Sequence, residues 1–244
     1  MYLSRLFLNP ASSRVRRDLA DCQEMHRTIM SAFPSLPIPA ASARENFSVL
    51  HRLEADRRRR KVVLYVQSRE KPDWSCLPPD YLMDIPAEEN PALKSIIQQY
   101  SSLQPGTILY FRLRANPTRK IDTKTGSDGR RRHGKRVELR RQEDQIKWLR
   151  RKGEQGGFEL LHVQVNPMVP DVRTTPEKTQ GKFSGQRRSG HSLKDQTLTF
   201  FSVLFEGHLQ IIDPAKFLSE SLGKGVGPGK AYGMGLLSIA PPMR

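Results

Sequence analysis

A histidine near the amino terminus, His26, has surroundings that would suit proton transfer at a phosphate. Asp21 followed by Glu24 is typical of a helix start, where a side-chain oxygen accepts from a free backbone amide and an acid follows three residues later. His26 then lies in the first turns of that helix, where the dipole favours phosphate. Gln23 lies one turn before it on the same side. The pattern predicts that His26 transfers protons in a nuclease site that includes Gln23. The alternative is a partly exposed structural histidine.

The predicted helix has one apolar side. Cys22, Met25, Ile29 and Phe33 recur at helical spacing and are expected to face a core. His26 follows Met25 directly, so it lies at the border of this apolar side. Its rotamer would be fixed by packing while one edge of the ring stays open to a ligand.

No metal or cofactor site is predicted. Cys22 and His26 are four residues apart on a helix, which is half of a metal site, but Cys76 has no paired ligand nearby. The sequence has no H-E-x-x-H motif, no Cys-x-x-Cys pair and no close acidic pair of the two-metal nuclease kind. We therefore expect any RNA cleavage to be metal-independent, with a 2′-hydroxyl attacking the adjacent phosphate.

The charge of the chain points to a polyanionic partner. Its 244 residues have a formal net charge of +16, which argues against a neutral metabolic enzyme. Nucleic acid is the first expected partner and an anionic membrane surface the second. No apolar run approaches the roughly 18 residues of a membrane span, and the amino terminus lacks a signal-peptide layout. Two cysteines suggest a reducing, cytoplasmic setting.

A glycine-rich loop, residues 223–235, is the most distinctive stretch by composition. A Walker A loop ending at Gly229-Lys230 would need glycine at position 224 and Ser or Thr at position 231, where the chain has Lys224 and Ala231. We expect backbone amides of this loop to approach a phosphate chain. The residues concerned are Gly225, Gly227 and Gly229, with Lys224 and Lys230 alongside. A tight connection between the last helix and the last strand is the alternative.

Two further basic segments are candidates for RNA contact. The long segment Pro167 to Gln196 carries Lys182, Arg187 and Arg188, and a loop of this length is usually functional or disordered. Its two arginines could reach a groove or phosphates. The stretch Arg119 to Arg136 is also basic, with no residue assigned within it.

Alternation along residues 107–115 predicts a strand with one core-facing side. Leu109, Phe111 and Leu113 would face the core, while Arg112 and Arg114 face outward. We expect these two arginines, together with Arg27 beside His26, to contact RNA.

The order of the predicted elements repeats. The first half is predicted as β-α-β-β-α-β, with strands at Tyr2 to Leu8, Phe47 to Leu53 and Lys61 to Ser68 and a weak last strand near Ile85. The second half has strands at 107–115, 158–165, 197–205, 208–212 and 236–240, a helix at 142–152 and another after Asp213. The pattern predicts an α+β fold of two tandem ferredoxin-like domains. The expected units are residues 1–90 and 107–244, joined by a linker at 91–106.

Several motifs resemble one family. They are Arg17-Asp18-Leu19, Met25-His26-Arg27, Leu109 to Pro117, Val203 to Gly207 and Gly225 to Pro241. Over nearly its whole length the chain resembles the CasE (Cse3) family, the CRISPR repeat-RNA endoribonucleases of the type I-E Cascade complex. The resemblance implies tandem ferredoxin-like domains and metal-independent cleavage at the 3′ base of a repeat stem-loop. The cut would leave a 2′,3′-cyclic phosphate and a 5′-hydroxyl, and the hairpin would stay bound within Cascade.

The resemblance also assigns roles to residues. The family histidine falls on His26, and the basic hairpin that grips the RNA stem falls on Lys182 to His191, which makes Arg187 and Arg188 the stem-contact candidates. Characterised relatives carry a tyrosine where this chain has Gln23. Glutamine can orient a hydroxyl or phosphate, but it cannot transfer a proton as a phenol can. A non-catalytic or weakly catalytic hairpin-binding subunit is therefore the alternative function. A general basic nucleic-acid binder is a third, and it would lose nearly all affinity by roughly 0.5 M salt.

Overall fold

The computed structural model describes residues 1–37, 40–56, 61–86, 88–121, 135–167, 172–174 and 198–242. Two four-stranded antiparallel sheets organise these residues, each with its own hydrophobic core. In each sheet the first and third strands are central and the second and fourth lie at the edges. This is the strand order of a ferredoxin-like unit, so the predicted fold of two such tandem units is confirmed.

The first domain begins with β1 (Tyr2–Leu8), α1 (Ser13–Ala20), α2 (Cys22–Met30) and α3 (Ala40–Asn46). It continues with β2 (Leu50–Asp56), β3 (Lys61–Ser68), a 3-10 turn at Trp74–Cys76 and β4 (Ala92–Ser95). The sheet order is β2-β3-β1-β4. Met25 and Ile29 of α2 are buried in the core of this domain. A short helix, α4 (Ile97–Ser101), leads into the second domain.

The second domain has the sheet order β12-β5-β11-β8. Its elements are β5 (Ile108–Ala115), β6 (Thr118–Ile121), β7 (Lys135–Glu138), α5 (Gln142–Gly156), β8 (Phe158–Pro167), β9 (Val172–Thr174) and β10 (Leu198–Phe200). They are followed by β11 (Val203–Ile211), α6 (Pro214–Lys216), a π-helical segment at Phe217–Gly223, a 3-10 turn at Lys230–Tyr232 and β12 (Leu237–Ala240). Leu109, Phe111 and Leu113 of β5 face the core as predicted. Asp213 caps the last helix as predicted, accepting from the Lys216 amide.

The prediction of a last strand near Ile85 in the first domain is wrong. That strand is β4, and it pairs antiparallel with β1 from Tyr2↔Ser95 to Arg5↔Ala92. Residues 92–95, which the sequence placed in the linker, therefore belong to the first sheet. Propensity gave no signal for this strand, because a four-residue edge strand depends on pairing with a distant partner rather than on its own pattern.

The predicted end of the second-domain helix at Lys152 is also wrong. Gly153 lies inside α5, where a Cβ atom would come 2.5 Å from the Phe158 carbonyl oxygen. This glycine permits close helix–strand packing, and the left-handed residue that ends the helix is Gly157. The two strands predicted at 197–205 and 208–212 are not separated by a turn after residue 205, because β11 runs through Glu206 and Gly207.

The two domains meet along the edge strands β2 and β12. The guanidinium of Arg52 on β2 donates to the carbonyl oxygens of Arg112 (3.2 Å) and Leu236 (3.1 Å) and to Ser238 Oγ (2.9 Å). Arg52 is buried, and Glu54 accepts from its Nε at 2.6 Å. A buried guanidinium held by these bonds fixes how the first domain sits against the second.

Candidate functional site

Helix α2 holds His26 at the surface of the first domain. The carboxylate of Asp21 accepts from the Gln23 amide at 2.8 Å, which confirms the predicted helix start. Met25 and Ile29 anchor the apolar side of the helix in the core. His26 is consequently half-buried at the border of that side, as the sequence predicted.

The ring of His26 is neutral in the folded protein. Burial lowers its pKa to about 4, and the positive charges of Arg44 and Arg27 add to that effect. Its Nδ1 atom is buried and has no hydrogen-bond partner among the residues that the structure describes. A neutral imidazole that is partly exposed can accept a proton from a substrate hydroxyl at neutral pH.

A second imidazole, His51, lies close to His26 and was missed by the sequence analysis as a site residue. It is on β2 and only 2% exposed. Burial lowers its pKa to about 3, and the positive charge that His26 acquires in acid, then those of Arg114 and Arg44, add to the effect. In the sequence, alternation along the predicted strand at 47–53 puts His51 on the same side as Val49 and Leu53. This alternation predicts that His51 is buried, and a buried histidine is usually structural. Its place in the site becomes evident only when the neighbouring residues in the fold are known.

The guanidinium of Arg44 on α3 is the third part of this cluster. Arg44 is 8% exposed and donates to the Val49 carbonyl at 3.1 Å. Its charge lowers the pKa of both histidines. Glu45 accepts from it at 3.2 Å, but this carboxylate is largely exposed, so solvent screens the pair. The surroundings of the two imidazoles are thus positive, which favours binding of an anion.

The second domain contributes to the same site through the glycine-rich loop. The 3-10 turn at Lys230–Tyr232 packs against α2 and β2. Tyr232 stacks on Phe200 with ring centroids 4.8 Å apart. Burial raises the pKa of Tyr232, and the nearby charges of Cys22 and Asp21 add to this. Tyr232 therefore lies beside the first turn of α2, the turn that contains Gln23.

Close packing accounts for the glycines at several positions of the loop. Gly225 is buried at a φ of +77°, with Leu50 of the first domain against it. Gly227, at a φ of +83°, approaches the Trp148 ring in the same way. Gly229 lies against Met234. Because Gly225 is buried, only Gly227 and Gly229 of the three predicted glycines present partly exposed backbone.

The two lysines of the loop differ in their surroundings. Lys224 is exposed, and its Nζ lies 2.6 Å from Glu220 Oε1. Lys230 is half-buried, and burial lowers its pKa, with the charge of Arg44 as the next contribution. Lys230 is thus the loop lysine that the fold brings towards the histidine cluster.

The three other predicted cations within the described residues have different surroundings. Arg27 is exposed and pairs with Glu24. Arg114 donates to Ser202 Oγ at 3.2 Å and is close enough to influence His51. The Nε atom of Arg112 lies 3.3 Å from Glu54 Oε1 and 3.4 Å from Glu206 Oε1, so two carboxylates already balance its charge. Lys182, Arg187 and Arg188, together with most of the basic stretch 119–136, lie outside the described residues.

The described residues include neither a metal-binding cluster nor a membrane-spanning helix. None of their His, Cys, Asp and Glu side chains form a group of three or more that could hold a metal ion. Nor do they include a helix with the length and apolar character needed to cross a membrane.

The fold and the positive surroundings of two neutral imidazoles define a class: a tandem ferredoxin-like protein with a cationic histidine site. Residues 1–241 match the model of a family described as CRISPR associated protein. The chain is 39% identical to the CRISPR-associated endoribonuclease Cse3 of Thermus thermophilus over 242 residues, covering 99% of this chain and 100% of that protein. It is 32% identical to the Cascade subunit CasE of Escherichia coli K12, with the same coverage of both chains.

A solved structure agrees with these sequence comparisons. It is that of the CRISPR endoribonuclease Cse3 bound to a 19-nucleotide RNA, and it superposes with a TM-score of 0.72 at 37% identity. The match covers 99% of this chain and 100% of that one. The chain belongs to this family of CRISPR-associated endoribonucleases, which includes Cse3 and CasE.

Proposed function

We propose that this chain cleaves precursor CRISPR RNA at the 3′ base of the repeat stem-loop and keeps the resulting hairpin as a subunit of Cascade. Its relatives support this, since one is named an endoribonuclease and another a Cascade subunit. The carrying observation is the neutral, half-buried His26 in positive surroundings. A protein with this substrate works in the cytoplasm, where the CRISPR transcript is made.

The proposed reaction needs no metal ion. The 2′-hydroxyl next to the scissile phosphate attacks the phosphorus, forming the O2′–P bond while the P–O5′ bond breaks. Neutral His26 accepts the proton of the 2′-hydroxyl, and the 5′-oxygen leaves and takes a proton from a water molecule. The imidazolium of His26 then returns its proton to the hydroxide that remains, which restores the neutral ring. The products carry a 2′,3′-cyclic phosphate and a 5′-hydroxyl.

Cations of both domains would stabilise the charge that develops on the phosphate. Arg44 lies on the first-domain side of the site, and Lys230 approaches from the glycine-rich loop. Both are partly or fully desolvated, so each interacts more strongly with an anion than a surface cation does. Arg27, Arg114 and the loop backbone at Gly227 and Gly229 would hold the adjoining RNA. Lys182, Arg187 and Arg188 would contact the stem.

Gln23 is the observation that favours a second candidate, a subunit that captures the hairpin and cuts slowly or not at all. A carboxamide has no proton to transfer at neutral pH, whereas it can hydrogen-bond to a phosphate or hydroxyl. In that case the same cations would bind RNA, but Gln23 could not protonate the leaving oxygen.

The test is cleavage of the cognate repeat RNA in excess EDTA. A labelled all-ribose stem-loop and the same RNA with a 2′-deoxy nucleotide at the cut site would be compared. We expect one cut, on the all-ribose RNA alone, with a cyclic phosphate at the new 3′ end. Cleavage of the deoxy substrate would contradict the mechanism. Tight binding without any cut would establish the capture function instead.

A further inference from the structure

A basic cavity of about 630 Å³ lies in the second domain. Its walls are β6 and β7, the second half of α5 and the glycine-rich loop. Strands β6 and β7 supply Arg119, Lys120 and Arg136, α5 supplies Arg151 and Lys152, and the loop supplies its two lysines. Glu220 is the only carboxylate among the described residues that line it. The cavity therefore has a large excess of positive charge.

Among the described residues, little of this charge is neutralised. Glu220 pairs with Lys224, so no other carboxylate in this part of the chain lines the cavity beside the remaining cations. Burial lowers the pKa of Lys152, and the charges of Arg151 and Arg136 add to the effect. Like charges held together in this way are destabilising by themselves, and a bound anion relieves their repulsion.

The shape and chemistry of the cavity select one kind of anion. Its volume lies within the roughly 300–1,000 Å³ typical of ligand pockets, which admits a short single strand but not a duplex. Trp148 lines the cavity but is only 3% exposed and is covered by Gly227, so it offers no open face for base stacking. Seven cations without a free aromatic platform suit phosphates and sugars rather than bases.

The cavity is connected to the candidate active site by the glycine-rich loop. Residues 224–228 and Lys230 line the cavity, while the turn at Lys230–Tyr232 packs against α2, which bears His26. Lys230 thus belongs to both. A single strand that followed this loop away from the histidine site would reach the cavity, whereas a double-stranded stem would be too wide to enter it.

We propose that this cavity binds the sugar–phosphate backbone of the single-stranded 3′ flank, the RNA that continues beyond the cut site away from the stem. The inference rests on the proposed function and deepens it. The precursor RNA carries this flank, whereas the cleaved hairpin does not. The cavity therefore adds affinity for the substrate that is absent for the retained product.

The experiment measures binding with three RNAs that carry a 2′-deoxy nucleotide at the cut site. One is the bare repeat stem-loop, one has a 3′ flank and one has a 5′ flank. The test variant is Arg119→Ala/Arg151→Ala, because both side chains are exposed and line the cavity. The control is Arg150→Ala, which removes the same charge from an exposed neighbouring position of α5 that does not line this cavity.

We expect the double variant to lose at least about tenfold in affinity for the 3′-flanked RNA, the order that two charge-assisted contacts supply. The slope of log affinity against log salt concentration should become shallower by about two, which is about one for each lost phosphate contact. Affinity for the other two RNAs, and all affinities of the control, should stay near wild type. An equal loss for all three RNAs, a loss specific to the 5′ flank, or no loss would each overturn the inference. Failure of the proposed function is distinguishable, because the wild type itself would then bind none of the three RNAs specifically.

Discussion

A methyl group added at Gly225 would lie 2.7 Å from Cδ2 of Leu50, across the boundary between the two domains. The glycine-rich loop is therefore seated on the first domain at the residue that directly precedes His51. Arg52, the residue after His51 on β2, also bonds to the second domain. Three consecutive residues of one edge strand thus join the domain interface to the histidine cluster.

Gly225→Ala should displace the glycine-rich loop from the first domain and destabilise the protein. The substitution combines a left-handed φ of +77° with the contact to Leu50, and we expect it to lower the free energy of unfolding by about 3 kcal/mol. Gly106→Ala is the matched control, since Gly106 has a φ of +82° but its nearest atom would be 3.9 Å away. That variant should cost about 1 kcal/mol. Urea unfolding of both measures the difference, and equal losses would show that the contact with Leu50 is unimportant.

His51 should make the protein less stable in acid. Its pKa is about 3 in the folded state against an ordinary value of 6.5. The unfolded chain therefore binds a proton between those values that the folded protein does not. The contribution of neutral His51 to stability is complete above pH 6.5 and is lost as the pH falls towards 3. At pH 4 the loss from this residue is roughly 3 kcal/mol.

Urea unfolding of the wild type and of His51→Gln between pH 8 and pH 4 tests this. The variant should be less stable than the wild type at pH 8, because its packing beside Gly233 is disturbed, but its stability should fall less on acidification. Parallel pH dependences for the two proteins would contradict the buried neutral state of His51. His26, whose pKa is also lowered, contributes to the slope that remains.

Gln23→Tyr should accelerate RNA cleavage. A phenol at this position of α2 can donate a proton to the leaving oxygen, and general acid catalysis typically contributes about 10²–10⁴-fold. We expect a gain of at least about tenfold in the single-turnover rate. Gln23→Phe is the control, with the same ring and no hydroxyl. A gain with phenylalanine as large as that with tyrosine would show that ring packing, not proton transfer, is responsible.

The sequence predicted those features that depend on local pattern. The alternation of β5 and the capped start of α2 at Asp21 were both confirmed. Gly153 was misread as a helix end, because its role is to let the Phe158 carbonyl approach, which is a tertiary contact. The same limit applies to the site. His26 could be singled out by its type and position, whereas His51 and Arg44 become neighbours only when β2 and α3 pack beside α2.

The central claim is that His26 transfers a proton during cleavage, and the most direct measurement compares His26→Ala with the wild type on the cognate stem-loop RNA. Single-turnover cleavage and equilibrium binding would be measured on the same preparations, in excess EDTA. We predict a fall in rate of at least about 10²-fold, the lower end of general acid–base contributions, with hairpin affinity changed by less than about threefold. A His26→Ala protein that cuts at the wild-type rate would contradict the mechanism, and one that loses cleavage only in proportion to lost binding would make His26 a binding residue.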